Sequence, residues 1–201
     1  MSALLKPLIS PRDYLAAERT SVIKHEYHAG KVYAMAGASE RHNLIVVNLV
    51  ALLHGQLRRR TCTVYPSDMR VKVVTEGLYT YPDISVVCGA PQFEDEHRDT
   101  LLNPTLIVEV LSPSTENYDR GRKFQSYRSL PSLMEYVLVA QDQAHVEHYI
   151  RQPDGRWLLA EYSTLAATVR IDAIGCELAL ADVYEKVELD SSESSGGTQD
   201  V

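Results

Sequence analysis

Hydrophobic and polar residues follow two different patterns along this chain. The stretches Tyr81–Cys88 and Leu106–Pro113 contain short apolar runs that are rich in Val and Ile and bounded by Pro, Gly or Asn, which predicts buried β-strands. After Ser39, apolar residues recur at helical spacing and form one stripe, which predicts a long amphipathic helix capped by Ser39. The chain therefore combines strands with at least one long helix.

Shorter signals complete the predicted order of elements. The Ser10-Pro11 pair has the residue types of a helix start and predicts a short first helix. Lys24–Ala36 predicts a hairpin, and Thr63–Val74 predicts two short strands or one bent strand. Further downstream the pattern predicts a helix from Asn117 or Asp119 and strands over Glu135–Ala140, His145–Arg151, Trp157–Tyr162 and Thr168–Ile171.

This order of elements predicts an α/β fold, in which a mixed β-sheet is flanked by helices and followed by a C-terminal β-extension. A chain of 201 residues suits one domain with a substantial core. We assign residues 1–187 to that domain. Residues 188–201 form an acidic Ser/Gly segment, which we expect to be disordered.

Two carboxylates stand inside the apolar runs. Asp83 opens the first predicted strand, and Glu109 lies in the middle of the second with apolar neighbours on both faces. An ionised carboxylate in such surroundings is costly unless a partner compensates its charge. One interpretation is a metal ion shared by the two acids. In the structural alternative, Glu109 pairs with an Arg or Lys, or its strand lies at the edge of the sheet.

The helix predicted after Glu109 carries Asp119, Lys123 and Tyr127 at intervals of four residues. Lys123 and Tyr127 therefore share one helix face. If that face turns back over the strand ends, Lys123 reaches the acids, and its removal should take away most of the activity with the melting temperature nearly unchanged. In the simpler alternative, Lys123 is the exposed ion-pair partner of Asp119, an interaction worth about 0.3–0.5 kcal/mol.

The histidines and the remaining acids give weaker signals. His42 faces inward from the long helix, where the residues alone favour a core histidine satisfied by hydrogen bonds. The acids within Gly89–Pro104 predict a solvated loop. His145 and His148 lie three residues apart on a strand and so point to opposite faces, which argues against a shared metal ion.

These residues, taken in order, resemble a known family. The chain is similar to the Uma2 (DUF820) family, a branch of the PD-(D/E)XK nuclease superfamily, at Pro82-Asp83, Glu109–Ser114, Asp119–Lys123, Tyr127 and Glu135-Tyr136. The resemblance spans residues 10–187. It implies a restriction-endonuclease-like fold and a metal-dependent endonuclease that hydrolyses phosphodiester bonds, with DNA as the expected substrate.

The resemblance also implies a set of metal ligands. Asp83 and Glu109 would hold Mg²⁺ or Mn²⁺ from adjacent strands, with the carbonyl of Val110 completing the site. Glu26 fits the family's upstream acid. The residues alone leave a second interpretation for Glu26, a solvated strand residue opposite Lys31.

One position departs from the superfamily pattern. The lysine expected two residues after the glutamate is Leu111 here, and Lys123 matches the helix lysine that takes over in Uma2-like proteins. His42 and Tyr127 are candidates for supporting roles. Because of Leu111, an alternative function is a non-catalytic module that binds nucleic acid or protein on a degenerate nuclease fold.

Composition limits the remaining possibilities. The formal charge is −7, and four acids with no base lie beyond Val187, which leaves −3 for residues 1–187, so net charge does not indicate nucleic-acid binding. No apolar run has membrane-spanning length, and no signal-peptide pattern begins the chain. Cys62, Cys88 and Cys176 are far apart and lack metal-ligand spacing. We therefore expect a cytoplasmic protein without membrane partners, acting as a homodimer because exposed edge strands need covering.

Overall fold

The computed structural model describes residues 8–190 of the chain. Its strands, in chain order, are β1 (His25–His28), β2 (Lys31–Ala34), β3 (Cys62–Pro66), β4 (Arg70–Val73), β5 (Leu78–Thr80), β6 (Ile84–Cys88), β7 (Thr100–Leu101), β8 (Leu106–Leu111), β9 (Glu135–Ala140), β10 (Val146–Arg151), β11 (Trp157–Tyr162), β12 (Thr168–Ile171) and β13 (Cys176–Ala179). The α-helices are α1 (Pro11–Glu18), α2 (Glu40–Leu57), α3 (Glu116–Tyr118), α4 (Phe124–Tyr127) and α5 (Leu180–Val183), and a π-helical turn, Asp119–Lys123, joins α3 to α4.

Two mixed sheets carry the fold. The larger has the order β11-β10-β9-β8-β6-β3, and the smaller has the order β2-β1-β5-β4-β7. In the larger sheet β8 runs parallel to β9 and antiparallel to β6, and in the smaller sheet β4 runs parallel to β7. The predicted α/β class, with mixed sheets flanked by helices, is confirmed.

The central strand β8 is buried on both faces. Leu106, Val108 and Val110 pack into a core with the apolar stripe of α2, which includes Leu49 and Leu53. The intervening positions of β8 point to the opposite face, where Ile107 and Leu111 pack against the π-turn and α4 through Phe124 and Tyr127. Glu109 therefore occupies a position on this second face that would otherwise be apolar.

Several elements differ from the sequence expectation. The stretch Thr63–Val74 divides into β3 and β4, which belong to different sheets. The helix after β8 begins at Glu116 rather than Asn117 or Asp119, with Thr115 as its cap residue. The C-terminal extension is partly continuous with the main sheet, since β10 and β11 extend its edge, while β12 and β13 form a separate ribbon.

The first residues of the acidic C-terminal segment, for which the sequence predicts disorder, lie within the described part of the chain. The carboxylate of Asp190 forms an ion pair with the guanidinium group of Arg41, with 2.8 Å between nitrogen and oxygen. The backbone N–H of Asp190 donates to the carbonyl of Asp142. The segment is therefore held against α2 at least as far as residue 190, and residues 191–201 lie outside the described residues. None of the helices between residues 8 and 190 combines the length and apolarity needed to traverse a lipid bilayer.

Two of the cysteines form a disulfide. Cys62 on β3 and Cys88 on β6 are register partners in the antiparallel pair, and their sulfurs are bonded, while Cys176 is free and buried. The sequence separation of 26 residues gives no sign of this pairing, because only the register of the two strands brings the residues together. Disulfides are rare in reducing compartments, so this bond stands against the cytoplasmic location, which stays a prediction.

Candidate active site

Strand register brings Asp83 and Glu109 together. In the antiparallel pair of β6 and β8, Ile84 lies opposite Val108, which places Asp83 opposite Glu109 on the same sheet face. The backbone N–H of Asp83 donates to Glu109 Oε2 at 3.2 Å, and the N–H of Val110 donates to Asp83 Oδ2 at 2.8 Å. Each carboxylate is thus fixed by the backbone of the neighbouring strand.

Glu109 is a charged group in an apolar setting. Its side chain is 3% exposed, and burial raises the pKa of Glu109 to about 8, with the nearby Asp119 and Asp83 adding to the rise and Lys123 opposing it. Ionisation of this carboxyl group therefore depends on a cation close by.

Lys123 supplies that cation. Its Nζ lies 2.9 Å from Glu109 Oε1, 3.3 Å from Asp119 Oδ1 and 3.6 Å from Glu26 Oε1. Burial disfavours the charged ammonium, but the surrounding carboxylates outweigh that effect and hold the pKa of Lys123 well above its usual value. The ammonium is protonated at neutral pH and stands among carboxylates from three separate elements.

The π-turn brings Lys123 into this position. The N–H of Phe124 bonds to the carbonyl of Asp119, five residues back, and the hydroxyl of Tyr136 donates to the same carbonyl at 3.2 Å. One turn beyond Lys123, the Tyr127 hydroxyl donates to Glu109 Oε1 at 2.9 Å. Single π-turns inside helices occur frequently at functional sites.

Glu26 and His42 approach the site from outside the main sheet. Glu26 lies on β1 of the smaller sheet and accepts a hydrogen bond from the Thr80 hydroxyl. His42 lies in the first turn of α2, and its Nε2 is 3.2 Å from Asp83 Oδ2. Its Nδ1 is buried without a hydrogen-bond partner among the described residues. His42 is therefore a neighbour of the acids rather than a core histidine satisfied elsewhere.

These groups open into a cleft of about 780 Å³, which is within the size range of ligand sites. Six of the residues predicted from the sequence line it: Glu26, His42, Asp83, Glu109, Val110 and Lys123. Tyr127 lies behind Glu109 and acts on the cleft only through that residue.

The comparison with known proteins identifies the family. The profile of the Uma2 family, described as "Putative restriction endonuclease", matches residues 11–181 of the chain. This chain belongs to the Uma2 family. Two proteins of Synechocystis sp., "Uncharacterized protein slr1290" and "Uncharacterized protein sll1609", are each 38% identical to it, over 89% and 77% of this chain and 92% and 87% of their own lengths.

A solved structure shows the same fold. A protein of Anabaena variabilis, described as "a putative nuclease belonging to DUF820", matches this Uma2 chain with a TM-score of 0.74 over 90% of this chain and 99% of that chain. The two sequences are 18% identical, so the likeness concerns the fold alone. The restriction-endonuclease-like fold implied by the sequence motifs is confirmed.

Two residues of this Uma2 site, Asp119 and Tyr118, were not among the site residues predicted from the sequence. Asp119 is 3% exposed and faces Lys123 from inside the protein, so the alternative of an exposed ion pair between the two is wrong. Tyr118 lines the same cleft, with its ring centroid 6.0 Å from Lys123 Nζ. The four-residue spacing between Asp119 and Lys123 could have indicated that Asp119 belongs to the site, but no local sequence pattern indicates Tyr118.

Other acids and histidines stay away from the site. Glu94 accepts from Lys72 at 2.6 Å, and Asp99 accepts from Arg19 at 2.7 Å, so the loop predicted to be solvated is held by ion pairs. His148 is fully buried and lies 2.6 Å from Glu135. These groups have structural partners and do not contribute to the cleft.

The donor atoms of the site suit a divalent cation. Asp83, Glu109 and the Val110 carbonyl are hard oxygen ligands of the kind that Mg²⁺ prefers. Between residues 8 and 190, no three carboxylate, imidazole or thiol groups are arranged as a ready-made metal cage. Mg²⁺ commonly binds through one or two carboxylates and keeps several waters, so a pair of acids beside a carbonyl fits the ion.

Proposed function

We propose that this chain is an endonuclease that uses Mg²⁺ or Mn²⁺ to hydrolyse phosphodiester bonds in DNA. The observation that carries this proposal is the excess of buried negative charge at the strand ends. The carboxylates of Glu26, Glu109 and Asp119 surround the Lys123 ammonium group, Asp83 lies beside Glu109, and all four face an open cleft. The nuclease descriptions of the family and of the Anabaena neighbour support the same reaction class.

The acids would hold the metal ion. Asp83 and Glu109 would be its main ligands, with the Val110 carbonyl and Glu26 beside them. A bound divalent ion would stabilise the negative charge that develops on the phosphate and make water a better nucleophile. The Tyr127 hydroxyl, which donates to Glu109 Oε1, would keep that carboxylate in one orientation.

Lys123 would act through its positive charge. Because the surrounding carboxylates hold its pKa well above the usual value, the ammonium cannot accept a proton from water at neutral pH. Its three N–H donors suit two other tasks, orienting the attacking water and stabilising the phosphate oxygens in the transition state. The lysine missing at Leu111 would thus be replaced from the π-turn.

A second candidate function is a non-catalytic module that binds nucleic acid or protein in the same cleft. The contact of 2.9 Å between Lys123 and Glu109 favours it, because the ammonium already neutralises one of the two main metal ligands. A module of this kind would bind its partner without cleaving it and would gain little affinity from added metal.

A cleavage assay separates the two candidates. The protein is incubated with single-stranded DNA, duplex DNA and RNA in Mg²⁺, in Mn²⁺ and in EDTA, and calorimetry measures metal binding on the same samples. We expect cleavage of DNA that EDTA abolishes and that Asp83→Asn removes. Asp172→Asn, which changes an exposed acid outside the cleft, is the matched control. Binding of nucleic acid without cleavage of any substrate, whether or not metal binds, would favour the non-catalytic module.

We also propose that the protein acts as a homodimer, since the exposed edge strands of its sheets, such as β2, need covering. Sedimentation velocity at micromolar concentration measures this directly. A single monomeric species would contradict the proposal without affecting the assignment of the site.

A further inference from the structure

A second cavity lies directly beside the candidate active site. It measures about 360 Å³, at the lower end of the range for small-molecule sites. Five residues, Glu26, Tyr33, Ser114, Thr115 and Tyr118, line both this cavity and the main cleft, whereas Arg122 lines this cavity only. A ligand in the second cavity would therefore lie next to a ligand in the main cleft.

Two tyrosines line the walls of this cavity. Tyr33 on β2 is the register partner of Glu26 on β1, so both side chains project from the same sheet face. Tyr33 is 51% exposed, although β2 belongs to a sheet. Tyr118, from α3, lines the same space. Aromatic rings that line an open cavity provide flat surfaces on which a planar group can stack.

A cation without an ion-pair partner lies at the same cavity. Arg122 is exposed and lines the cavity, and within residues 8–190 it forms no salt bridge. Its neighbour Arg120, in contrast, pairs with Glu116 and Glu147, each at 2.6 Å. A guanidinium group matches the geometry of a phosphate and can bind it through two hydrogen bonds.

The carboxylate of Glu26 is the one feature that opposes an anionic ligand here. Its Oε1 accepts the hydroxyl of Thr80 and lies 3.6 Å from Lys123 Nζ. The negative charge of Glu26 is thus compensated on the side of the active site. Besides the two tyrosines, His28 and Arg122 are the other ionisable groups that line the cavity.

We propose that this cavity receives one unstacked base of the substrate, stacked against Tyr33 and Tyr118, while Arg122 binds the adjoining phosphate. A base paired within a duplex cannot enter such a cavity unless it is flipped out of the helix. The substrate is therefore single-stranded DNA. Stacking on tyrosine tolerates every base, so the cavity selects unpaired DNA rather than a sequence. This inference rests on the proposed nuclease function.

Binding measurements test the cavity apart from catalysis. Fluorescence anisotropy in EDTA, and again in Mg²⁺, gives the Kd for a labelled single strand and for the duplex of the same sequence. We expect tighter binding of the single strand and a Kd about tenfold higher for Tyr33→Ala, because stacking on one aromatic residue contributes that much per base. Tyr33→Phe keeps the ring and should bind like the parent protein.

The dependence on salt identifies the phosphate contact. Removal of one phosphate contact lowers the slope of log K against log salt concentration by about 0.7 for a single strand. Arg122→Ala should show this change, while Tyr33→Ala should weaken binding with the slope unchanged. Arg59→Ala and Leu159→Ala, which alter exposed residues that line neither cavity, are the controls for charge and for apolar surface.

The two proposals fail in different ways. If duplex DNA is cleaved as fast as the single strand and Tyr33→Ala and Arg122→Ala behave like their controls, the cavity inference is wrong while the nuclease function stands. If the single strand binds through Tyr33 and Arg122 but is never cleaved, the cavity inference stands and the nuclease function is wrong. Binding of neither DNA under either condition overturns the cavity inference.

Discussion

The candidate active site and a second ionic cluster of the molecule balance their charges in opposite ways. The second cluster, which we call the arginine clamp, consists of Arg19, Arg70, Asp95 and Asp99. Its two guanidinium groups meet two carboxylates at 2.7–2.9 Å. In the candidate site, by contrast, a single ammonium group stands among three carboxylates, and a fourth, that of Asp83, lies beside Glu109.

This difference appears directly in the acids. Hydrogen bonding from Arg19, with Arg70 nearby, outweighs burial and holds the pKa of Asp99 well below its usual range. Burial raises the pKa of Glu109 to about 8 in spite of Lys123. In the clamp the arginines outweigh the effect of burial on their acid, whereas in the site burial outweighs the effect of Lys123. Uncompensated charge in a cleft is typical of functional sites, and four variants test whether the comparison holds.

The largest effect is expected for Glu109→Gln. It removes a main metal ligand but keeps the size of the side chain and the contact with Tyr127. We expect cleavage to fall by at least about 10³-fold. The free energy of unfolding should stay within about 1 kcal/mol of the parent value, because a costly buried charge is removed along with its ion pair. Glu76→Gln, at an exposed position, is the control.

Cleavage rates and urea unfolding measure the two effects of Glu109→Gln separately. A variant that cleaves DNA like the parent would exclude Glu109 from the reaction. A variant that loses several kcal/mol of stability would show that Glu109, like the acids of the clamp, serves mainly to stabilise the fold.

The next effect is expected for Lys123→Ala. Cleavage should fall by about 10²–10³-fold because the charge that stabilises the transition state is lost. The sequence interpretation predicted unchanged stability, but Lys123 is only 6% exposed and ion-paired. Its removal leaves buried carboxylates without compensation and should cost about 3–5 kcal/mol of unfolding free energy.

Added Mg²⁺ should restore part of that stability, because the ion binds the folded protein and supplies the missing charge. Thermal melting with and without Mg²⁺ measures this, with Lys186→Ala as the control at an exposed position. Lys123→Arg should restore little cleavage, since the planar guanidinium needs a different approach. Parent-like cleavage by Lys123→Ala would show that the lysine only neutralises the acids.

Asp99→Asn tests the clamp. It should lower the free energy of unfolding by about 2 kcal/mol at pH 7, because two arginines lose a charged partner, and it should leave cleavage unchanged. The pKa of Asp99 is depressed in the folded protein, so its ionised form contributes stability above the ordinary pKa of about 4. That contribution is lost as the pH falls below 4.

Urea unfolding of the parent and of Asp99→Asn over a range of pH checks this sign. The difference between the two proteins should be full at pH 7 and should shrink on acidification. A stability difference that stays constant with pH would show that the charge of Asp99 does not stabilise the fold. Impaired cleavage by the variant would show that the clamp also contributes to activity.

The smallest effect is expected for Tyr127→Phe. It removes only the hydroxyl group, which donates to Glu109 Oε1, and keeps the aromatic ring. We expect a loss of about 1 kcal/mol in unfolding free energy and about a tenfold loss of cleavage, as for groups that orient metal ligands. Tyr162→Phe, outside both cavities, is the control. Unchanged cleavage would show that Lys123 and the Asp83 N–H orient Glu109 without the tyrosine.

The sequence by itself determined the acids of the site. Asp83 and Glu109 were recognisable because strand periodicity and burial are local properties, and a carboxylate inside a run of Val and Ile breaks the pattern visibly. The same locality allowed the caps of α1 and α2 and the first hairpin to be predicted. The ordered motifs identified the family, and with it the fold.

Only the tertiary structure decided how these residues are used. Asp119 and Lys123 form the same local spacing whether they face solvent or the core, and the π-turn packed under β8 determines that they face inward. The bond between Cys62 and Cys88 depends on the pairing of β3 with β6, and the position of Tyr33 depends on its pairing with Glu26. Such contacts join residues that are distant in the chain, so strand register and packing determine them, and neither is encoded in a local pattern.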